Sequence, residues 1–239
     1  MVKATLKYYF DPLCGWCYAA APLIHAAAEL AELAIQLHAG GMMSGEHRQT
    51  VTPALRNYVM PHDQQIAALT GQAFGDAYFN GLLLDESAMF DSTPPTLAVL
   101  AAAALGGDEG IARSGLAMLA RIQAAHYAHG QRIADDTVLL NLAVELGFER
   151  AAFAAAMSEQ AIKVEQHFAA TRQEMAQQGL RGFPSLVLEA GGKMQRIDVS
   201  PYLGKPAEFV AMMQGLLTGE SGEKSTGNAA FCAPDGCSI

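Results

Sequence analysis

Basic character is scarce in this 239-residue chain: 15 Lys and Arg stand against 24 Asp and Glu, leaving a net charge of -9. Nucleic acid and anionic membrane surfaces are recognised through a positive footprint, so neither is expected as a partner. Charge of either sign is thin, at 16% of residues. The 51% that are hydrophobic can bury a sizeable core in one large domain or two small ones. No apolar run is long enough to cross a bilayer without charged or helix-breaking residues. The opening Met1-Val2-Lys3-Ala4-Thr5-Leu6 lacks the apolar stretch and cleavage site of a secretory signal, so a cytoplasmic location is expected. The seven histidines form no HxxxH or HExxH pair of the kind that ligates zinc from a helix. Tryptophan occurs once, and the four cysteines are too few for a disulfide scaffold in a chain of this length. They form two local pairs, Cys14 with Cys17 and Cys232 with Cys237.

The order of elements follows from periodicity and punctuation. Leu6 to Phe10 is a short apolar and aromatic run that ends at Asp11-Pro12, a strand followed by a turn. From Cys14 to Leu33, Ala, Leu and Glu favour helix, with Pro22 far enough inside to kink it. Ala34 to Ala39 alternates as a second strand and stops at Gly40-Gly41. Residues 44–178 carry Ala-rich apolar stretches at helical spacing, with helix starts at Asp91-Ser92-Thr93 before Pro94-Pro95 and at Asp135-Asp136-Thr137. No strand pattern occurs there, so an all-helical block is expected. Strand character returns at Pro184 to Glu189 and Lys193 to Ile197, flanking Ala190-Gly191-Gly192 as a hairpin. A last amphipathic helix starts at Pro206, and residues 218–230 have linker composition. With the block removed, βαβ is followed by αββα.

Cys14-Gly15-Trp16-Cys17 stands between the first strand and the first helix. Unpaired backbone N–H groups and the helix dipole favour negative charge at that position, so the Cys14 sulfur is expected to be an exposed thiolate nucleophile. Cys17 is then the resolving thiol that releases a mixed disulfide. The same spacing also suits zinc, but two further ligands are needed and the only other cysteines lie at the far end of the chain. Redox chemistry is therefore preferred and no metal is assigned. Asp11 either handles the proton of Cys17 or caps the turn. Trp16 is either a packing residue or an exposed ring that touches substrate. Met42 and Met43 either fill core or line an adaptable apolar groove. In the tail, Pro234-Asp235-Gly236 offers a turn that brings Cys232 toward Cys237.

These residues resemble the DsbA-like branch of the thioredoxin-fold superfamily: Cys14-Gly15-Trp16-Cys17 after the first strand, Pro22 in the following helix, and Gly182-Phe183-Pro184 opening a late strand. The resemblance implies an α/β thioredoxin fold with a large all-helical insertion. Residues 1–43 and 168–218 would form the thioredoxin-like domain, 44–167 the insertion, and 219–239 a tail with its CxxxxC pair. It also implies a cis peptide before Pro184, with Phe183 and Pro184 beside the cysteines contacting substrate. The activity implied is thiol–disulfide exchange with disulfide-containing proteins, peptides or small molecules. No organic cofactor is implied, and a thioredoxin-like protein or glutathione would act as reductant. An intermediate potential is expected, between about −270 and −120 mV. A tail dithiol like Cys232/Cys237 accompanies the CxxC in some relatives of the FrnE type. Kappa-class glutathione transferases and 2-hydroxychromene-2-carboxylate isomerases share the architecture but usually carry Ser where Cys14 stands. A glutathione-dependent isomerase is therefore one alternative, and a metal-binding or chaperone-like module is the other.

Overall fold

In chain order the elements are β1 (Ala4–Phe10), α1 (Gly15–Ala27), β2 (Leu33–Ala39), β3 (Gln49–Thr50), α2 (Pro53–Thr70), β4 (Met89–Phe90), α3 (Thr93–Leu105), α4 (Gly107–Gln123), α5 (Asp136–Glu145), α6 (Arg150–Ala161), α7 (Val164–Gln177), β5 (Ser185–Ala190), β6 (Lys193–Ile197) and α8 (Pro206–Thr218). A computed structural model describes residues 2–219, of which 108–111 by backbone alone, together with the backbone of residues 231–233 and 236–238. Those last two segments form a short hairpin, β7 (Phe231–Ala233) and β8 (Gly236–Ser238), in which Cys232 and Cys237 are register partners. The side chains of Cys232 and Cys237, and the linker expected at 218–230 beyond Gly219, lie outside the described residues.

β1 has no solvent-exposed face from Tyr8 to Phe10, and Leu6 is equally buried. A strand of that kind belongs in the middle of a sheet covered on both sides. The sheet order is β2-β1-β5-β6, parallel between β1 and β2 and antiparallel elsewhere. α1 packs against α8, while α4 and α7 both meet β2. Burying a side chain such as Leu23 or Ile24 of α1 stabilises the fold by about 1.5–3 kcal/mol each. Between β2 and β5 the chain is almost wholly helical, with α3 packed on α4 and α6.

Two expectations are corrected here. The first helix ends at Ala27 rather than running to Leu33, because Leu33 is already paired with Ala4 in the sheet. The helical block is not free of strand: Gln49–Thr50 pairs antiparallel with Met89–Phe90. A ladder of two residues per strand is too short to produce an alternating pattern. Two π-helical turns, Ala77–Gly81 and Ala124–Ala128, also break the helical rhythm and were not legible from spacing.

Candidate active site

Strand register brings the separated motifs to one end of the sheet. Phe10, the last residue of β1, pairs with Ala39 at the end of β2, and Tyr9 pairs with Ser185 at the start of β5. The segments that follow or precede those residues must therefore converge: Asp11 to Cys14, Gly40 to Met42, and Phe183-Pro184. The Phe183-Pro184 peptide is cis, as expected, and the Cys14 thiol donates to the Phe183 carbonyl at 3.3 Å. Phe183 packs its ring on Gly40 so closely that a Cβ there would lie 1.9 Å from Cζ.

Cys14 is the N-cap of α1 and its side chain makes no capping bond. Its carbonyl already accepts from the Cys17 and Tyr18 N–H groups at 3.0 and 3.1 Å. Both Cys14 and Cys17 are free thiols. Burial pushes the Cys17 thiol well above its ordinary range, and the hydrogen bond and charge of Cys14 push it further. Cys17 is thus held as the protonated thiol before any substrate arrives.

The expected exposure of the Cys14 sulfur is overturned, since the residue is 0% exposed. α2 closes over the start of α1, and a Cβ on Gly15 would meet Asp63 Oδ1 at 2.7 Å and Ile66 Cδ1 at 3.1 Å. Phe183 covers the opposite side. Of the two readings of Trp16, the structure fits the packing one: it is 1% exposed, and its Nε1 is buried without a hydrogen-bond partner among the described residues. The indole is packed in the wall of a cleft and does not project into solvent.

That cleft measures about 320 Å³ and runs between the start of α1 and the helical insertion. Leu13, Gly15, Trp16 and Met42 form one wall; Leu55, Asp63 and Ile66 of α2, with Tyr78, His126 and Tyr127, form the other. A smaller hollow of about 190 Å³ adjoins it, lined by Gly40, Met42, Arg172 and Phe183. Met42 borders both and is also buried in the core, so neither of the two readings given to it is set aside. Arg172 braces this region, donating to the carbonyls of Gly40 and Gly41 at 2.9 and 2.7 Å and to Ser44 Oγ at 3.1 Å.

Asp11 is fully buried and accepts three hydrogen bonds, from Leu13 N at 2.9 Å, Met42 N at 2.6 Å and Ser92 Oγ at 2.8 Å. These bonds fit the reading of Asp11 as a turn-organising acid. The carboxyl organises the turn and pins the loop after β2 to the start of α3, and burial lifts its pKa to about 6 despite those donors. It also acts electrostatically on Cys17.

Four cleft residues escaped the sequence reading: Asp63, Tyr78, His126 and Tyr127. Tyr78 Oη donates to Asp63 Oδ2 at 2.8 Å. Burial pushes the Asp63 carboxyl up to about 7 and the His126 imidazole down to about 3, so His126 is neutral. Tyr78 and Tyr127 stand edge to face at 5.3 Å, and Tyr127 stacks on Tyr18 at 4.9 Å. Among the described residues no group of three or more His, Cys, Asp or Glu is placed to hold a metal ion.

The raised Asp63 pKa has a consequence for stability. Between about pH 4, where the unfolded carboxyl ionises, and about pH 7, the folded state holds the extra proton, so stability falls as pH rises through that window. Asp63→Asn removes this cost while keeping an oxygen for Tyr78 to donate to. Its melting temperature is expected to exceed that of the wild type by more at pH 8 than at pH 5. Asp11 contributes a slope of the same sign in both proteins. Thermal denaturation at the two pH values checks this, and a difference independent of pH would contradict it.

Residues 5–201 match the DSBA-like thioredoxin domain. The cytosolic disulfide reductase DsbM from Pseudomonas aeruginosa is 51% identical, with a TM-score of 0.80 and a match covering 90% of this chain and 98% of that one. The structure of that reductase with GSH matches at 49% identity and a TM-score of 0.79, covering 90% and 99% of the two chains. A 2-hydroxychromene-2-carboxylate isomerase shares the fold at 17% identity and a TM-score of 0.54, covering 91% of this chain and 100% of its own. No curated protein matches the chain. With the family's domain matched over most of its length and two free thiols at the start of the first helix, this chain belongs to the DSBA-like thioredoxin domain family and is a thiol–disulfide oxidoreductase.

Proposed function

We propose that this protein reduces disulfides in the cytosol with electrons drawn from glutathione. The observation that carries the reading is the cleft beside Cys14, about 320 Å³, in a chain 49% identical to a cytosolic disulfide reductase solved with GSH. Clefts of that size accommodate small ligands. No helix of the described residues is long and apolar enough to cross a membrane.

Cys14 attacks a substrate disulfide, one substrate sulfur leaves as thiolate, and a mixed disulfide forms at Cys14. Cys17 then attacks the Cys14 sulfur, freeing the second substrate sulfur and closing the Cys14–Cys17 disulfide. Asp11 is assigned the proton that Cys17 gives up, because it is an acid of near-neutral pKa whose charge bears on that thiol. Two glutathione thiols reopen the ring. The first forms a mixed disulfide with Cys14 and expels Cys17, and the second displaces the first as glutathione disulfide. Protein or peptide substrates are assigned to the hollow at Met42 and Phe183, beside Pro184, with Trp16 contributing from the wall of the larger cleft. No organic cofactor or metal enters the cycle. Residues 44–167 are assigned as the insertion that walls the glutathione side, on the thioredoxin-like unit of 1–43 and 168–218. In the tail, 219–239, Cys232 and Cys237 are assigned as an auxiliary dithiol that passes electrons to larger substrates.

Mixing the oxidised protein with glutathione tests this. The expected result is one glutathione disulfide formed for each Cys14–Cys17 dithiol, with Trp16 fluorescence changing at the same rate. Oxidised protein that yields to dithiothreitol and not to glutathione would overturn the choice of reductant. For the tail, a Cys232→Ser, Cys237→Ser double variant is expected to keep the glutathione step and lose turnover of insulin. Full insulin turnover in that variant would remove the auxiliary role.

A further inference from the structure

Asp63 interrupts an apolar stripe. It follows Leu55 and Val59 at helical spacing on α2, precedes Ile66, and is 4% exposed. An acid is rarely buried in such a stripe without partners for both oxygens. Here Tyr78 supplies Oδ2, and no other donor to the carboxylate is found among the described residues. Oδ1 lies over Gly15, 2.7 Å from the position a Cβ would take. Gly15 follows the nucleophile, one Cα step of about 3.8 Å along the chain. A carboxylate oxygen without a donor therefore borders the cleft beside the attacking sulfur. Glu46, His47 and Arg48 also line the cleft and are exposed.

We propose that Asp63 determines specificity for the thiol reductant by receiving the ammonium group of a zwitterionic peptide thiol, whose carboxylate ends point outward toward His47 and Arg48. The inference rests on the glutathione reading above and deepens it, naming the group on the reductant that is recognised and the residue that recognises it. An ammonium supplies the opposite charge that the buried carboxyl lacks. The groups around Asp63 do not supply it: the Tyr78 and Tyr127 hydroxyls and the Cys17 thiol are held protonated by burial, and His126 is neutral. His62 lines the cleft on the same helix, and Cys14 is the remaining titratable neighbour. Because the empty-cleft carboxyl titrates near 7, loading the ammonium at neutral pH expels a proton from it.

The test compares glutathione with N-acetylglutathione, which keeps the thiol and both carboxylates and loses the ammonium. Second-order rates for reduction of the oxidised protein are measured for each and corrected to thiolate concentration. Wild type is expected to prefer glutathione by roughly thirtyfold or more, the scale for removing one partner of a buried charge pair. In Asp63→Asn that ratio is expected to fall toward one, through a slower reaction with glutathione and not a faster one with the acetyl derivative. Tyr78→Phe retains the carboxylate while releasing it from its only donor, and is expected to give an intermediate ratio. A wild-type ratio near one, or a ratio unchanged in Asp63→Asn, would overturn the assignment while leaving glutathione as reductant. Failure of wild type to react with glutathione at all, with dithiothreitol still effective, would instead remove the reading beneath it.

Discussion

Cys14→Ser is expected to lose disulfide-reductase turnover by a factor on the order of 10³ or more, down to the rate of uncatalysed thiol exchange. Cys17→Ser is expected to lose turnover as well, but to accumulate a covalent adduct at Cys14 that reducing agent releases. The asymmetry follows from the first turn of α1. Cys14 occupies the N-cap, makes no side-chain capping bond and donates to the Phe183 carbonyl, next to N–H groups that have no partner inside the helix. Cys17, one turn further in, is buried and under the charge of Cys14, so its proton is held well above the ordinary thiol range. In the proposed cycle Cys14 therefore begins the exchange and Cys17 finishes it. Mass spectrometry of each variant after incubation with a mixed-disulfide substrate reads both outcomes. An adduct on Cys17 in Cys14→Ser, or equal residual turnover in the two variants, would reverse the roles.

That chemistry must also contend with the full burial of Cys14. The thiol is closed in by α2 on one side and Phe183 on the other, and contact with a substrate sulfur requires one of them to yield. The cleft adjoins both immediate neighbours of Cys14, Leu13 and Gly15, so a small thiol there needs only a side-chain displacement to reach the sulfur. The proposed assignment puts a folded protein substrate on the Phe183 side, where the hollow is smaller. Under that assignment small-thiol reduction and protein-disulfide attack approach one sulfur from two directions.

Much of this site was legible in the residues themselves. The Cys14/Cys17 pair and Phe183-Pro184 are far apart in sequence; the family resemblance, not the strand pattern, implied that they meet, and the register of β1 with β2 and β5 shows how, since it fixes what lies beyond the last paired residue. What the sequence hid was enclosure. Trp16 beside two cysteines suggests a substrate-facing ring, and nothing local reveals that α2, about fifty residues later, will lie over it. Asp63 left a trace that was readable in principle: an acid at the 55, 59, 66 stripe of an amphipathic helix is either misplaced or needed. Tyr78, His126 and Tyr127 left none. They sit in π-helical turns, whose spacing matches neither the helical nor the strand period. The short β3–β4 ladder was hidden for the same reason, being too brief to alternate.

Those π-helical turns make the second large effect. Gly130→Ala is expected to destabilise the fold by about 3–4 kcal/mol, a magnitude reached only by severe overpacking or backbone strain. A Cβ at residue 130 would lie 2.2 Å from the carbonyl oxygen of Ala77 and 2.4 Å from its carbon, in a residue whose φ is +62°. The contact is reciprocated: at Gly75 a Cβ would lie 2.0 Å from the Ala128 oxygen. Each turn rests its backbone on a glycine beside the other. They cannot separate freely, because Gly75 N–H donates to the Tyr127 carbonyl at 2.9 Å. Gly71→Ala isolates the backbone part, since its φ is +72° but nothing lies within 4 Å of the added methyl. That control bears only the left-handed backbone penalty, about 1–2 kcal/mol. The expected melting temperatures therefore fall by about 6 °C or more for Gly130→Ala, and by clearly less for Gly71→Ala. Folded Gly130→Ala is further expected to react more slowly with glutathione, because pushing the turns apart carries Tyr78 away from Asp63 and Tyr127 out of the cleft wall. Equal losses of stability in the two variants would mean that backbone strain alone sets the cost, and the two turns would then not be what holds the glutathione side of the cleft in shape.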